Sequence, residues 1–171
     1  MTATRRQILS LLGATCATGF APRALAVSPP GYQAPETSAP SRIVIKTGER
    51  MLYFFRNNEL SDTYVIAVGR QGRKWAGETY VSRKVLWPKW APPPIIRKEN
   101  PKLPALIGPG PGNPLGDAVL VLGDGTYGIH GTNKASSIGT DASYGCFRMY
   151  NRDVLRLFSK VDIGTPVTVM P

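Results

Sequence analysis

Short apolar runs separated by turn residues are the feature that most constrains this chain. Runs of this kind, bounded by Gly, Pro, Asn or Asp, are typical of β-strands. They begin after Arg42 and predict strands at residues 43–45, 51–55, 63–68, 80–87, 118–122 and 166–170. The Asn57-Asn58 pair between the second and third runs predicts a tight hairpin turn. The pattern therefore indicates a mainly β fold.

One helical pattern is found, at residues 151–161. Its apolar residues recur at the spacing of a single helix face: Val154, Leu155, Phe158 and Val161. Asn151 is expected to cap the helix, because its side-chain oxygen can accept a backbone N–H of the first turn. Gly164 is expected to end it. We therefore predict one short helix near the C terminus.

Residues 87–116 are rich in proline and glycine and are predicted to form a long irregular loop. Proline removes backbone donors from a sheet, and glycine adds chain entropy, so regular structure is disfavoured there. A loop of this length in a small domain is usually functional or mobile. Trp87 and Trp90 give it aromatic anchors, which either pin the loop to the core or take part in function.

The first 26 residues have the pattern of an export signal. They contain the basic pair Arg5-Arg6, an apolar run at residues 8–20 and a small-x-small cleavage site at residues 24–26. The apolar run is too short for a stable membrane span. The arginine pair resembles the twin-arginine class of bacterial signals, and ordinary Sec export fits the segment equally well. Residues 27–41 are Pro-rich and are predicted to form an extended linker.

Removal of that signal would leave one cysteine and one histidine in the chain. The chain of 171 residues has two cysteines and one histidine, and cleavage after Ala26 would remove Cys16. Cys146 would then be the single thiol, so it could form no internal disulfide. One cysteine and His130 are too few for a usual four-ligand zinc site, and no glycine-rich phosphate-binding motif occurs. Neither a metal nor a cofactor is therefore expected.

The charge of the chain is strongly positive, +10 at pH 7. Cleavage of the signal would remove Arg5, Arg6 and Arg23 and leave 18 − 11 = +7. The Lys and Arg residues are scattered and accompany no recognition motif, so nucleic-acid binding is not expected. A basic surface suits carboxylate-bearing partners and anionic surfaces instead. No later apolar stretch is long enough for an integral membrane span.

His130 and Cys146 are the candidate catalytic residues. They lie 16 residues apart (146 − 130), and both are predicted to lie near strand ends among small residues. A cysteine nucleophile needs a base, and an imidazole titrates in the right range. Neighbouring glycines would let backbone N–H groups approach a developing oxyanion. From spacing alone, each residue could equally be an ordinary structural one.

The sequence around both residues is more specific. It contains, in order, Ile129-His130-Gly131-Thr132, Ser137-Ile138-Gly139, Ser143-Tyr144-Gly145-Cys146-Phe147-Arg148-Met149, Asn151 and Asp153. This order resembles the signature of the L,D-transpeptidase catalytic domain, the YkuD fold. Residues 87–93 and 110–116 also resemble the periplasmic ErfK/YbiS branch of that family. The likeness covers residues 42–171 and implies a β-sandwich or barrel-like sheet with one short helix after the cysteine.

The resemblance implies a role for each matching residue. Cys146 would be the nucleophile that attacks the carbonyl after the third residue of a peptidoglycan stem tetrapeptide, releasing D-alanine and leaving a thioester. His130 would be its base, and the carbonyl of Gly131 would orient the imidazole. The backbone N–H groups of Tyr144, Gly145 and Cys146 would line the oxyanion site.

Three further positions carry alternatives. Arg148 would hold a stem carboxylate or stabilise the site, or else form a surface ion pair. Ser143 would contact substrate or make a structural hydrogen bond. Tyr144 departs from the family pattern, which usually has Ser-His-Gly-Cys, so a role for that histidine side chain is lost and altered substrate contacts are expected.

The resemblance also leaves the acyl acceptor open. A second stem's diaminopimelate amine would give a 3→3 cross-link, and an outer-membrane protein's amine would anchor that protein to the wall. Water would make the protein an L,D-carboxypeptidase. A non-catalytic module that binds peptidoglycan is the alternative from a different class. In each case the expected location is the periplasm of the bacterial cell envelope.

Overall fold

The computed structural model describes residues 40–171, and an eight-stranded sheet forms its core. The strands in chain order are β1 (Ser41–Lys46), β2 (Met51–Arg56), β3 (Glu59–Val65), β4 (Val68–Gly69), β5 (Gly77–Leu86), β6 (Ala118–Leu122), β7 (Tyr127–His130), β8 (Asp141–Ser143), β9 (Phe147–Arg148) and β10 (Pro166–Met170). The large sheet has the order β3-β2-β1-β10-β5-β6-β7-β9, and β4 pairs with β8 separately. The predicted mainly β architecture is confirmed.

The first three strands form an antiparallel meander whose side chains alternate between core and surface. Ile43 and Ile45 of β1 are fully buried, as are Leu52 and Phe54 of β2. The predicted hairpin is confirmed, because Asn57 and Asn58 have φ angles of 53° and 63°, the left-handed region that a tight two-residue hairpin turn requires. The predicted strand at 63–68 is divided, since β3 ends at Val65 and β4 leaves the main sheet.

The strand β6 lies deep in the sheet between β5 and β7. Its apolar run matches the predicted strand, and four of its five residues are buried. The neighbouring strand β7 pairs in parallel with β9, with His130 opposite Arg148 and Ile129 opposite Phe147. The residue before β9 is Cys146, so this register brings the two candidate catalytic residues to the same edge of the sheet.

The helix α2 (Asn151–Lys160) confirms the helix predicted after Cys146. It packs on β6 and buries Val154 and Leu157. The predicted cap is wrong, because Tyr150 occupies the N-cap position and makes no side-chain capping bond. The Asn151 side chain instead accepts hydrogen bonds from a loop 19 residues upstream.

The segment between β5 and β6 contains a helix that was not predicted. The helix α1 (Pro94–Glu99) begins with a proline, which the first turn tolerates because its N–H would have no partner there. The rest of the segment is irregular, as predicted. Within it, a pair of 2.8 Å backbone hydrogen bonds between Trp90 and Ile107 closes the loop that carries α1.

The predicted signal at 1–26 lies outside the described residues, as does nearly all of the predicted linker at 27–41. Within residues 40–171, no helix has the length and apolar character needed to cross a membrane.

Candidate active site

His130 and Cys146 line one cleft of about 290 Å³ beside the edge of the sheet. Both residues also line a second cleft of about 420 Å³, so the two clefts meet at this pair. The segment between β5 and β6 contributes to both, through Trp90, Pro93 and Leu115. The pair therefore lies where the two clefts adjoin.

The backbone carbonyl of the next residue, Gly131, orients the imidazole of His130. Its Nδ1 lies 2.6 Å from the carbonyl oxygen of Gly131. A carbonyl oxygen only accepts hydrogen bonds, so Nδ1 carries the proton and the neutral ring keeps Nε2 as an acceptor. The side chain is buried, and this burial lowers the pKa of His130 to about 4. The ring is therefore neutral, and able to accept a proton, at physiological pH.

The thiol of Cys146 is also kept neutral at rest. Burial raises its pKa, whereas a backbone hydrogen bond from Gly128 and the positive charge of Arg148 act in the opposite direction. The structure thus holds a thiol and a neutral imidazole rather than an ion pair. Gly128 was missed by the sequence analysis, since only the parallel pairing of β7 with β9 brings it next to the sulfur.

Ser143 organises the turn that carries the cysteine. Its hydroxyl oxygen accepts the Gly145 N–H at 3.0 Å and donates to the Cys146 carbonyl oxygen at 2.6 Å. This favours the structural alternative for Ser143. It also corrects one expectation, because the Gly145 N–H is already bound and is not free to bind an oxyanion.

The backbone of Gly145 occupies a space that only glycine fits. Its φ is +121°, and a Cβ there would lie 2.5 Å from Cε1 of Tyr127. Its carbonyl oxygen accepts a hydrogen bond from the Trp75 indole at 3.0 Å, and that indole stacks on Tyr127 with ring centroids 4.8 Å apart. Trp75 and Tyr127 thus form the wall against which the cysteine loop is packed. Neither was identified from the sequence, where no motif marked them.

Arg148 is a half-buried cation with no acidic partner among residues 40–171. Its backbone is fixed by hydrogen bonds in both directions with Ala67, and its guanidinium lies 3.4 Å from the Ser137 hydroxyl. No carboxylate within residues 40–171 forms an ion pair with it, which contradicts the surface ion-pair alternative. Its charge is therefore available to the cleft.

Asn151 fixes the loop that follows the histidine. Its Oδ1 accepts the N–H of Thr132 at 2.9 Å and that of Asp117 at 3.4 Å. A Cβ on either Gly131 or Gly116 would lie 2.1 Å from this oxygen. The amide side chain therefore needs glycine on both sides, and it holds Gly131 where its carbonyl meets the imidazole.

Both clefts are electropositive. Arg73 and Arg148 line the first cleft, and Arg83 and Lys89 line the second, while the described lining of each contains no Asp or Glu. Tyr144 also lines the first cleft, with its hydroxyl bound to Glu99.

Residues 40–171 hold no cluster of His, Cys, Asp or Glu suited to a metal ion. The arrangement suits acyl transfer on a substrate that carries carboxylates.

Comparisons with known proteins point to one family. The model of the L,D-transpeptidase catalytic domain (YkuD) matches residues 40–169. The probable L,D-transpeptidase ErfK/SrfK of Escherichia coli K12 is 36% identical over 137 residues, which cover 75% of this chain but only 43% of that protein. The putative L,D-transpeptidase YkuD of Bacillus subtilis 168 is 38% identical over 141 residues, covering 82% of this chain and 71% of its own length.

The fold is shared with solved structures as well. The catalytic domain of an Enterococcus faecium L,D-transpeptidase, determined by NMR as the ertapenem-acylated form, superposes with a TM-score of 0.59 at 19% identity. That match covers 77% of this chain and 98% of the other. The comparison supports the YkuD-type fold of the curled sheet.

Proposed function

The chain belongs to the L,D-transpeptidase catalytic domain family, and on that basis we propose that it is a cysteine L,D-transpeptidase of peptidoglycan. Its acyl donor would be a stem tetrapeptide, cleaved after the third residue. The observation that carries the proposal is that a neutral thiol and a neutral, oriented imidazole, Cys146 and His130, line the same two basic clefts.

The acylation step follows from the tautomer of the imidazole. Nε2 of His130 takes the proton of Cys146 as the sulfur attacks the carbonyl carbon. The oxyanion would be bound by the N–H groups of Tyr144 and Cys146, because that of Gly145 is held by Ser143. Collapse then breaks the C–N bond, and the imidazolium returns its proton to the amine of the departing D-alanine. A thioester on Cys146 remains.

Arg148 would recognise a carboxylate of the donor. Its guanidinium is half-buried, lines the cleft beside the thiol and lacks an acidic partner within the described residues. A charged hydrogen bond in such a setting is stronger than one at an exposed surface. Arg73 lines the same cleft and adds positive charge. Together they suit a stem peptide, whose C-terminal residue carries a carboxylate.

The acyl acceptor would be the amine of a second stem peptide, giving a 3→3 cross-link. The second cleft supports this choice, because it also reaches Cys146 and its Arg83 and Lys89 suit the carboxylates of an acceptor stem. The amine attacks the thioester carbonyl carbon, and its proton passes to Nε2 of His130. The C–S bond then breaks, and the imidazolium returns the proton to the sulfur, which restores the thiol of Cys146. A protein amine or water would use the same thioester.

Export to the periplasm is part of the proposal, carried by the basic and apolar pattern of residues 1–26. Replacing Arg5 and Arg6 by lysine separates the two routes. Loss of export would indicate the twin-arginine pathway, and retained export would indicate Sec.

The function is tested by incubating the purified protein with a disaccharide tetrapeptide. Free D-alanine and a 3→3 cross-linked dimer are expected, and both should disappear in Cys146→Ala. Tripeptide without dimer would identify water as the acceptor. Protein-linked stems in walls from cells that carry the gene would identify a protein acceptor. No D-alanine release by the folded protein would overturn the proposal.

A further inference from the structure

The helix α1 is joined to the cysteine loop by a cluster of three polar side chains. The Tyr144 hydroxyl donates a hydrogen bond to one carboxylate oxygen of Glu99, the last residue of α1. The Arg70 guanidinium bonds the other oxygen at 2.7 Å and lies 4.1 Å from the centre of the Tyr144 ring. We refer to Arg70, Glu99 and Tyr144 as the clamp.

Two of the three members are tied to the cysteine loop, and one of them, Tyr144, lines the cleft. Tyr144 comes two residues before Cys146, and the Arg70 N–H donates to the Ser143 carbonyl oxygen at 2.9 Å. Glu99 comes instead from the segment between β5 and β6. The clamp therefore links the cysteine loop to α1, whose Ile95 and Ile96 line the same cleft as Tyr144.

Besides the clamp, α1 is held by a 3.4 Å hydrogen bond from Arg97 to the Ala105 carbonyl oxygen and by the backbone bonds that close its loop. It has six residues, and none of them is buried. An isolated helix of this length is unstable in water and depends on tertiary contacts. Yet Ile95 and Ile96 of this helix line the cleft that contains Cys146 and His130. The position of that wall thus depends on polar contacts rather than on hydrophobic packing.

We propose that Tyr144 is a positioning residue, which with Arg70 fastens α1 through Glu99 and so sets the width of the acyl-donor cleft. Its effect on donor binding rests on the proposed function, whereas the fastening itself does not. Tyr144, which stands where the family usually has histidine, thereby acts by holding α1 through its hydrogen bond to Glu99. When the clamp is broken, α1 moves away, Ile95 and Ile96 leave the cleft, and the donor binds more weakly.

The chain offers a matched control of the same chemistry. On the β1–β2 hairpin, the Tyr53 hydroxyl donates to Glu49 at 2.5 Å, and Lys46 bonds Glu49 at 2.9 Å and lies 5.4 Å from the Tyr53 ring centre. This second cluster joins neighbouring strands and lines neither cleft. Tyr53→Phe removes an equivalent hydroxyl without touching α1.

The first test is limited proteolysis of the full chain, which needs no activity. Trypsin can cut after Arg97, Lys98 and Lys102, all in or next to α1. Tyr144→Phe should raise the rate of cleavage at these sites about two- to fivefold, the range expected for a charged hydrogen bond at an exposed site. Glu99→Gln should do the same after Lys102. The bonds after Arg97 and Lys98 are not compared in that variant, because an acidic residue close after a cleavage site itself slows trypsin. Tyr53→Phe should leave the rate at the wild-type value. Equal rates in all four proteins would overturn the clamp.

The second test separates positioning from mere stability. In Glu99→Gln the KM for the tetrapeptide should rise about threefold, with a smaller change in kcat, because the ground-state fit of the donor is lost. A fall in kcat at constant KM would contradict the proposal. If wild type itself releases no D-alanine, the proposed function fails, and the proteolysis result still decides whether the clamp exists.

Discussion

The Nδ1 atom of His130 and the carbonyl oxygen of Gly131 lie 2.6 Å apart, which fixes the tautomer of the only imidazole in the chain. In the proposed mechanism this contact would orient the imidazole, as a carboxylate does in serine triads, but without adding negative charge. A neutral orienter does little to stabilise an imidazolium. The low pKa of His130 and the raised pKa of Cys146 are consistent with this arrangement.

The pH dependence of acylation should reflect the neutral base. Because burial lowers the pKa of His130 to about 4, the ring stays unprotonated well into the acid range. We expect kcat/KM to be flat from about pH 5.5 to neutrality and to fall only near pH 4, since this parameter reports the groups of the free enzyme. An acid limb near 6.5 would instead indicate an exposed, ordinary histidine.

The same burial should make His130 a source of acid instability. Its pKa falls from 6.5 to about 4 on folding, so the unfolded chain binds more protons between these values. Above pH 6.5 the ring is neutral in both the folded and the unfolded chain, so the free energy of unfolding does not depend on this group. As pH falls from 6.5 to about 4, the free energy of unfolding decreases by a total of about 3 kcal/mol. His130→Asn keeps a donor for the Gly131 carbonyl but cannot titrate.

Urea unfolding at pH 7 and pH 4.5 measures this effect. Between pH 7 and pH 4.5 the free energy of unfolding should decrease less in His130→Asn than in wild type. The carboxylates also titrate in this interval, but they contribute equally in both proteins. Parallel losses in the two proteins would show that the histidine is not desolvated.

Replacing Gly145 should disturb the wall behind the cysteine. In Gly145→Ala the new Cβ would meet the Tyr127 ring at 2.5 Å. Gly164→Ala is the control, because Gly164 also has a positive φ, 91°, but open space around it. The control should cost about 1–2 kcal/mol from backbone strain alone.

The cost of Gly145→Ala in urea should be at least twice that of the control. The near-ultraviolet circular dichroism of the Trp75–Tyr127 stack should also change in Gly145→Ala and stay constant in Gly164→Ala. Equal costs and unchanged spectra would show that the close approach to Tyr127 is unimportant.

Asn151 should support activity from a distance. Asn151→Ala leaves the N–H groups of Thr132 and Asp117 without their acceptor, which should cost about 1–3 kcal/mol of unfolding free energy. It should also slow acylation, because Gly131 loses the side chain that positions it. Asn151→Asp retains the accepting oxygen and should keep most of both properties. If both variants behave alike, the Oδ1 contacts are not what holds the loop.

The fold could be predicted where the information is local. The continuous apolar run of β6 and the Asn57-Asn58 turn specify their structures almost alone. Asn151 shows the limit, because a capping rule considers only the next turn, whereas the actual partner, Thr132, lies 19 residues upstream. The helix α1 could not be predicted either, because the prolines of its segment disfavour regular structure. Pro94 is tolerated only because it lies in the first turn of the helix.

In the candidate site, too, local motifs mark some residues, whereas others are placed only by tertiary contacts. The motif around His130 and Cys146 marks those two residues, because their chemistry is rare in this chain. It does not mark Gly128, which reaches the sulfur only through sheet pairing. Nor does it mark the contact between Tyr144 and Glu99, which lie 45 residues apart. Contacts of this kind depend on the tertiary fold and leave no periodic signal in the sequence.

Intact-protein and peptide mass spectrometry after brief exposure to the disaccharide tetrapeptide shows whether Cys146 is the acylated nucleophile. We expect a mass increase equal to the donor minus D-alanine, located on the peptide that contains Cys146 and absent from Cys146→Ala. A folded protein that turns over the tetrapeptide without any adduct on Cys146, or with the adduct on another residue, would contradict it.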